Sequence, residues 1–205
     1  MVDTPRPAPG EEINTGPETV PRLAATVILL RGGGEGLEVL LAQRSPQARF
    51  MGGAWVFPGG AVGTDDGDGE PGRKAAAIRE LSEETGVVLD DADKLVAFSR
   101  WITPAVVKIR YDTWFYLVAA PAGQEARCDG EETVDACWLA PAEALERHAA
   151  GGFPLVFPTI KNLERLARFA TAQELLTWAA GREVTPVQPR VEGQGEAARI
   201  VLDDD

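Results

Sequence analysis

The sequence predicts a layered α/β protein, and three observations lead to that fold class. Short apolar runs rich in β-branched residues, such as residues 23–30, are typical of buried strands. An alanine-rich stretch with an early proline and a closing glycine, residues 71–86, is typical of an α-helix. Strand-like and helix-like segments also alternate along the chain, which indicates a sheet covered by helices.

Turn residues and apolar patterning define the predicted elements in order. A glycine-rich turn at residues 32–36 separates the first two strands, and a short strand leads into a loop at Gly59 and Gly60. Pro71 suits the first turn of the helix that follows, and Gly86 suits its left-handed C-terminal cap. The predicted strands are 23–30, 37–42, 55–57, 95–101, 112–119 and 133–139, and the predicted helices are 71–85, 141–150 and 159–180, the last broken near Ala170 and Thr171.

Length and composition predict one main domain with two extensions. A chain of 205 residues, of which 44% are hydrophobic, can bury a substantial core. Residues 1–20 are rich in proline and are expected to form a flexible arm. Residues 21–182 are expected to form the folded domain, and residues 183–205 an acidic, partly disordered tail.

The charge balance limits the expected partners. A net charge of −12 argues against binding to nucleic acid or to an anionic membrane, because both require a basic surface. No apolar run reaches the length of a membrane-spanning helix. The sequence shows no signal peptide, and its two cysteines form no disulfide framework, so the expected location is the cytoplasm.

The segment from Arg79 to Val87 carries the most specific chemistry. Glu80, Glu83 and Glu84 stand at positions i, i+3 and i+4 of a predicted helix, so they share one face. Three carboxylates this close repel one another and favour a cation between them. Hard oxygen ligands favour Mg²⁺ or Mn²⁺. The alternative is a solvated acidic face with an Arg79–Glu83 ion pair.

This segment resembles the second half of the Nudix box, G-x5-E-x7-R-E-U-x-E-E-x-G-U, where U is a bulky aliphatic residue. Every fixed position from Arg79 onward matches. The first half departs from the pattern, because the spacing from Gly60 to Arg79 is five residues longer. Glu70 falls one place before the position of the early glutamate, which is Pro71 here. The extra residues include three acids that we interpret as a polar turn rather than as metal ligands, namely Asp65, Asp66 and Asp68.

The segment upstream of the box resembles the signature of the coenzyme A diphosphatase branch of the Nudix family, L-L-T-x-R-[SA]-x3-R-x3-G-x3-F-P-G-G. All fixed positions of residues 40–60 match except the threonine, which is Ala42. Within this segment, Arg44 and Arg49 are candidates for phosphate contacts, because a guanidinium group binds phosphate oxygens in a bidentate way. Each arginine could instead pair with a surface acid.

The resemblance implies a fold, an activity and a set of site residues. The fold is a mixed β-sheet sandwiched between α-helices, and the activity is metal-dependent cleavage of the diphosphate of coenzyme A or its thioesters. Glu80, Glu83 and Glu84 would hold Mg²⁺ or Mn²⁺, with the Gly60 carbonyl as a possible ligand, and Arg79 would orient the carboxylates. Gly59 and Gly60 would lie against the substrate phosphates.

Several questions stay open at this level. The general base is either Glu80 or an acid of the loop at Glu131 and Glu132, although an acidic hairpin turn also explains that loop. ADP-ribose, a dinucleoside polyphosphate or an oxidised nucleotide would use the same metal helix. A catalytically silent ligand-binding regulator is a further alternative, but all three carboxylates of the box are intact. The expected partner is a small nucleotide substrate, and the sequence does not predict an oligomeric state.

Overall fold

A computed structural model describes residues 14–32, 36–48, 51–192 and 199–202 of the chain. The strands are β1 (Arg22–Arg31), β2 (Glu38–Arg44), β3 (Trp55–Val56), β4 (Gly59–Ala61), β5 (Val96–Ile102), β6 (Tyr111–Ala119), β7 (Thr133–Leu139), β8 (Pro186–Val187), β9 (Arg190–Glu192) and β10 (Arg199–Val201). The helices are α1 (Gly69–Thr85), α2 (Pro141–Ala149), α3 (Phe157–Leu166) and α4 (Ala172–Ala179). Short 3₁₀ turns occupy Thr64–Asp66 and Ala92–Lys94.

The sheet is mixed, and β1 lies at its centre. Its strand order is β3-β2-β1-β6-β5-β8, with β4 paired to β1 and β7 paired to β2. β1 runs parallel to β6 along nine residue pairs and antiparallel to β2 and β4. Residues 24–30 are buried without alternation, because helices cover both faces of the sheet.

Two hydrophobic clusters fill the space between the sheet and the helices. On one face, Ile28 and Leu30 pack with residues of α2, α3 and α4. On the other face, Val27 and Leu29 pack against Ala76, Ala77 and Leu81 of α1. The predicted α/β/α sandwich is therefore confirmed, with α1 on the face that carries the acidic segment.

Most predicted elements are present with small changes at their ends. α1 begins at Gly69 rather than Pro71, so Pro71 lies within its first turn. A proline is tolerated there because the first N–H groups of a helix have no intrahelical partner. The predicted break after α3 is confirmed, and Thr171 caps α4 through a hydrogen bond from Glu174 N–H to its Oγ1 of 3.2 Å. The sequence reading missed β4 and the three short strands after residue 182, of which β8 pairs with β5.

The segments outside the predicted domain boundaries contact the domain where they are described. Asn14 N–H donates to the Val106 carbonyl at 2.7 Å, and the buried Arg110 pairs with Glu18. Residues 1–13 of the predicted arm and parts of the predicted tail lie outside the described residues, so the boundaries at 20 and 182 stay predictions. Among the described residues, none of the helices has the length and apolarity needed to cross a bilayer.

Candidate active site

The acidic face of α1 lies against the loop that contains Gly59 and Gly60. β4 pairs with the first half of β1, Gly60 opposite Ala25, which fixes the loop beside the helix. At the other end of α1, Gly86 adopts the predicted left-handed conformation with φ 68° and donates its N–H to the Ser82 carbonyl at 2.9 Å. The helix therefore ends directly after its acidic segment.

Glu84 is the most buried carboxylate of the predicted site, with only 2% of its surface exposed. Its Oε2 accepts the backbone N–H of Gly59 at 2.9 Å. Burial raises the pKa of Glu84 to about 7, although the Gly59 N–H and the charge of Arg44 lower it. The negative charges of Glu80 and Glu132 act in the same direction as burial. Gly59, Arg44, Glu80 and Glu132 therefore all act on the Glu84 carboxyl group.

Glu80 lies directly against Gly60. A Cβ atom at position 60 would approach the Glu80 Cδ and Oε2 to 2.4 Å, so only glycine leaves room for this carboxylate. Burial is the main cause of a raised pKa at Glu80. Glu83 is more exposed, with 59% of its side chain accessible. The structure thus brings Glu80, Glu84 and the two glycines together and leaves Glu83 at the rim.

Arg79 organises this acidic face through all five of its N–H donors. Its Nη1 donates to Glu80 Oε1 and to Glu83 Oε2, each at 2.9 Å. Its Nε and Nη2 form a bidentate pair with Asp66 at 3.0 Å, and Nη2 also donates to the Ala61 carbonyl at 3.3 Å. These carboxylates raise the pKa of Arg79, with Asp66 as the largest cause. Arg79 therefore links the inserted loop, β4 and the acidic helix.

Asp66 lies in a polar turn, as predicted, but its contact with Arg79 was not predicted from the sequence. It belongs to the 3₁₀ turn in the extra residues of the box, and its Oδ2 also accepts the Gly63 N–H at 2.7 Å. Hydrogen bonding from Arg79 holds the pKa of Asp66 below its usual range. No sequence periodicity relates residue 66 to residue 79, so only the folded loop brings them together.

The bidentate contact predicts that Asp66 acts on activity through Arg79. Asp66→Ala is expected to lower kcat/KM by about tenfold to a hundredfold, because groups that orient ligands contribute on that scale. Asp65→Ala is the matched control, since Asp65 belongs to the same turn and is exposed. Steady-state kinetics of both variants test this, and equal rates in the two variants would contradict a positioning role for Asp66.

The loop before β7 brings a further carboxylate toward the acidic helix. Asp129 accepts the backbone N–H groups of Glu131, Glu132 and Thr133, which shapes the loop. Thr133 Oγ1 donates to the Glu84 carbonyl at 2.7 Å and joins the loop to α1. The charge of Glu132 raises the pKa of both Glu80 and Glu84, so Glu132 lies within electrostatic reach of them.

The structure describes only one of the two arginines that are candidates for phosphate contacts. Arg44 ends β2, and its charge lowers the pKa of Glu84, so it lies near the acidic face. Arg49 lies outside the described residues. Glu70, which falls one place before the early glutamate position of the box, pairs with Lys74 of the same helix at 3.0 Å.

Comparison with known proteins identifies the family. The NUDIX domain model matches residues 20–157, which include β1, the glycine loop and the whole of α1. The chain belongs to the Nudix family. The match covers the segments that form the acidic face, so the resemblance of the box is confirmed at the level of the family.

Curated Nudix relatives are distant and longer than the matched region. Nudix hydrolase 7 of Caenorhabditis elegans is 28% identical over 172 residues, which cover 63% of this chain and 56% of that protein. An acyl-coenzyme A diphosphatase of Xenopus laevis is 24% identical over 243 residues, 72% of this chain and 64% of that protein. The chain thus spans little more than half the length of these relatives.

Solved Nudix structures share the fold. The crystal structure of a NUDIX hydrolase from Alicyclobacillus acidocaldarius superposes with a TM-score of 0.70 at 27% identity, covering 78% of this chain and 96% of that chain. The NUDIX domain of Shewanella oneidensis NrtR, crystallised with ADP ribose, has a TM-score of 0.56 at 22% identity, covering 73% and 88% of the two chains. At that identity the second match establishes the fold alone.

Nudix enzymes generally use divalent metal ions, and the donor set of this site fits one. Buried carboxylates with raised pKa values favour a nearby cation, and oxygen donors suit Mg²⁺ or Mn²⁺. Within the described residues, no three acidic, histidine or cysteine side chains stand close enough to enclose a metal ion. Arg79 engages Glu80 and Glu83, while Gly59 holds Glu84. The assignment of these three glutamates and the Gly60 carbonyl as ligands therefore stays a prediction.

Proposed function

We propose that this Nudix protein hydrolyses the diphosphate bond of coenzyme A or acyl-coenzyme A. The oxygen of a water molecule forms a bond to one phosphorus as the bond from that phosphorus to the bridging oxygen breaks. The products are 3′,5′-ADP and 4′-phosphopantetheine, which keeps its acyl group when the substrate is a thioester. A proton of the water passes to a base of the site.

One observation carries the choice of substrate. Arg44 and Gly59 belong to the segment that resembles the coenzyme A signature, and both line the same cavity. The Gly59 N–H donates to Glu84, so the signature segment and the box meet at one site. Similarity to the Xenopus acyl-coenzyme A diphosphatase is consistent with this assignment.

Each group of the site has a distinct role in the proposed reaction. Glu80, Glu83 and Glu84 would hold Mg²⁺ or Mn²⁺, with the Gly60 carbonyl as a further ligand. The bound ion would neutralise the diphosphate charge and favour ionisation of the attacking water. Arg79 orients Glu80 and Glu83 through its Nη1 hydrogen bonds.

Two carboxylates remain candidates for the general base. Glu80 is held by Arg79 next to Gly60, which favours a role in binding the ion. Glu132 is exposed, yet its charge acts on both Glu80 and Glu84, which favours a role in accepting the proton. A pH profile of kcat for Glu132→Gln distinguishes them, because loss of the base removes the acidic limb of that profile.

Product analysis tests the proposed function most directly. Purified protein is incubated with Mg²⁺ or Mn²⁺ and with coenzyme A, hexanoyl-coenzyme A, ADP-ribose or NADH in parallel, and the products are identified by mass spectrometry. We expect 3′,5′-ADP and a phosphopantetheine species from the first two substrates. Rapid cleavage of ADP-ribose with no cleavage of coenzyme A would overturn the substrate assignment, and binding without any turnover would favour a regulator.

The position of Arg44 predicts its effect on two related substrates. Because Arg44 lies near Glu84, we assign it to the diphosphate rather than to the 3′-phosphate. Arg44→Ala should lower kcat/KM by about tenfold to a hundredfold for both coenzyme A and dephospho-coenzyme A. Arg31→Ala, which removes a charge at the far end of β1, is the control. A loss confined to coenzyme A would instead assign Arg44 to the 3′-phosphate.

A further inference from the structure

A cavity of about 180 Å³ opens at Gly59, on the face of the sheet opposite α1. Gly59, whose N–H holds Glu84, and Arg44 lie in its wall. An apolar cavity of about 150 Å³ is large enough for a molecule of the size of benzene. The space is therefore large enough for part of a substrate whose diphosphate lies at Glu84.

The floor of this cavity follows β6. Phe115, Thr113 and Tyr111 all line it, and they lie on one face of the strand because side chains alternate. Thr26 of β1 is paired with Phe115 on one side and with Gly59 on the other, so the floor begins close to Gly59. From Phe115 to Tyr111 the strand extends for about 14 Å. The cavity is thus an elongated groove that leads away from the diphosphate position.

Charge is confined to one end of the groove. Among the described residues that line the groove, Arg44 is the only charged one, and most of the others are apolar or aromatic. Trp101 also lines the groove and packs edge to face against Phe157, which lines it too. The groove therefore suits a chain that is anionic at one end and then uncharged and largely apolar.

The C-terminal segment completes the wall of the groove. Pro189, which is buried, and Ile200 both line the cavity, although they lie beyond residue 182. β8 joins this segment to the sheet by pairing Pro186 with Arg100 and Val187 with Trp101. Ile200 is paired with Val191 in the short antiparallel pair of β9 and β10. The segment that the composition assigns to a polar tail thus supplies apolar side chains to this groove.

From these observations we propose that the groove binds the pantetheine arm of the substrate and that Ile200 helps select substrates that carry this arm. The inference rests on the proposed function and deepens it. A diphosphate bound beside Arg44 and Gly59 would direct the arm along β6, between the apolar and aromatic side chains of the groove. Adenosine and ribose groups fit less well, because apolar walls leave most of their polar atoms unpaired.

Calorimetric titration with S-hexanoyl-pantetheine tests the groove without any diphosphate chemistry. We expect this uncharged probe to bind the wild-type protein and to bind Ile200→Trp about tenfold to a hundredfold more weakly, because the larger side chain occupies the groove. ADP with Mg²⁺, which lacks the arm, should bind both proteins equally. The same variant should lower kcat/KM for coenzyme A and hexanoyl-coenzyme A.

Two further variants keep the test decisive. Val201→Trp is the matched control, because its side chain points away from that of Ile200 on the same strand and does not line the cavity. Ile200→Ala provides a second test in case Ile200→Trp fails to fold. This variant should bind the probe more weakly than wild type, and its thermal stability should be unchanged. No binding of the probe to wild-type protein, or equal effects of the two tryptophan variants, would overturn the groove assignment. Probe binding without cleavage of coenzyme A would support the groove and overturn the proposed function.

Discussion

Glu84→Gln is expected to lower kcat by roughly 10²–10⁴ while it stabilises the metal-free protein. The substitution preserves the shape of the side chain and an oxygen that can accept the Gly59 N–H. It removes a negative charge from the group of acids that includes Glu80 and Glu132. The negative charge of Glu84 lowers the stability of the metal-free protein, whereas it would help to bind the proposed metal ion. Removing this charge should therefore raise stability without metal and lower kcat.

The pH dependence of stability follows from the raised pKa of Glu84. Its carboxyl titrates near 4.5 in an unfolded chain and at about 7 in the fold, so the folded state binds the proton more tightly. The associated stability is fully present below pH 4.5 and is lost as the pH rises through 7. This difference in the pKa of Glu84 between the folded and unfolded states lowers the free energy of unfolding by at most about 3 kcal/mol at alkaline pH. Glutamine does not ionise, so the variant avoids that loss.

Thermal unfolding in the presence of a chelator measures this effect. The Tm of Glu84→Gln should exceed that of wild type at pH 8 by several degrees, since about 1 kcal/mol changes Tm by roughly 2–4 °C in a domain of this size. The difference should shrink toward pH 5. Adding Mg²⁺ should raise the Tm of wild type more than that of the variant.

Glu70→Gln is the matched control for these measurements. It changes the charge of the same helix but breaks only an exposed pair with Lys74, which contributes little. It should leave kcat and the Mg²⁺ response unchanged. Wild-type turnover by Glu84→Gln would remove Glu84 from the site, and a lower Tm at alkaline pH would contradict the burial argument.

The layers of the fold and the acidic face of α1 were predictable because both depend on local patterns. The run from Leu23 to Leu30 and the alanines of α1 specify their elements through apolar character and helix propensity. Carboxylate spacing on a helix fixes a shared face whatever the rest of the chain does. Nothing beyond the segment itself was needed to predict that Glu80 and Glu84 lie on one side.

The partners of those residues were not predictable, because they come from distant parts of the chain. Asp66 reaches Arg79 through an inserted loop, and Thr133 reaches the Glu84 carbonyl from the start of β7. Short strands such as β8 and β10 have too few residues for a period of two to be recognised. The side chains that set burial and therefore pKa are specified by tertiary packing, which a single sequence does not show.

Gly60→Ala is expected to lower kcat/KM by about a hundredfold or more without unfolding the protein. The added Cβ would meet the Glu80 carboxyl group at 2.4 Å, which is closer than atoms pack. The atoms it meets belong to the end of a flexible side chain, so Glu80 can move aside at little cost to stability. A displacement of about 1 Å in a catalytic group can cost a hundredfold in rate.

Gly63→Ala provides a matched control in the same loop. Its Cβ would lie 3.4 Å from Asp66 Oδ2, an ordinary contact, and Gly63 has a φ of −86° that alanine adopts readily. Gly59→Ala is not a suitable control, because its Cβ would meet backbone atoms of β1 at 2.5 Å. Activity and Tm should therefore be close to wild type in Gly63→Ala, whereas Gly60→Ala should lose activity alone.

A double-mutant cycle between Gly60→Ala and Glu80→Ala decides whether the methyl group acts through Glu80. Removal of the Glu80 carboxylate eliminates the group that the methyl displaces, so the double variant should be no less active than Glu80→Ala alone. The effects would then be strongly non-additive, as expected for groups that act as a unit. Additive losses would show instead that Gly60 contributes separately, and the Gly60 carbonyl, the further ligand proposed for the metal, would be the first group to test.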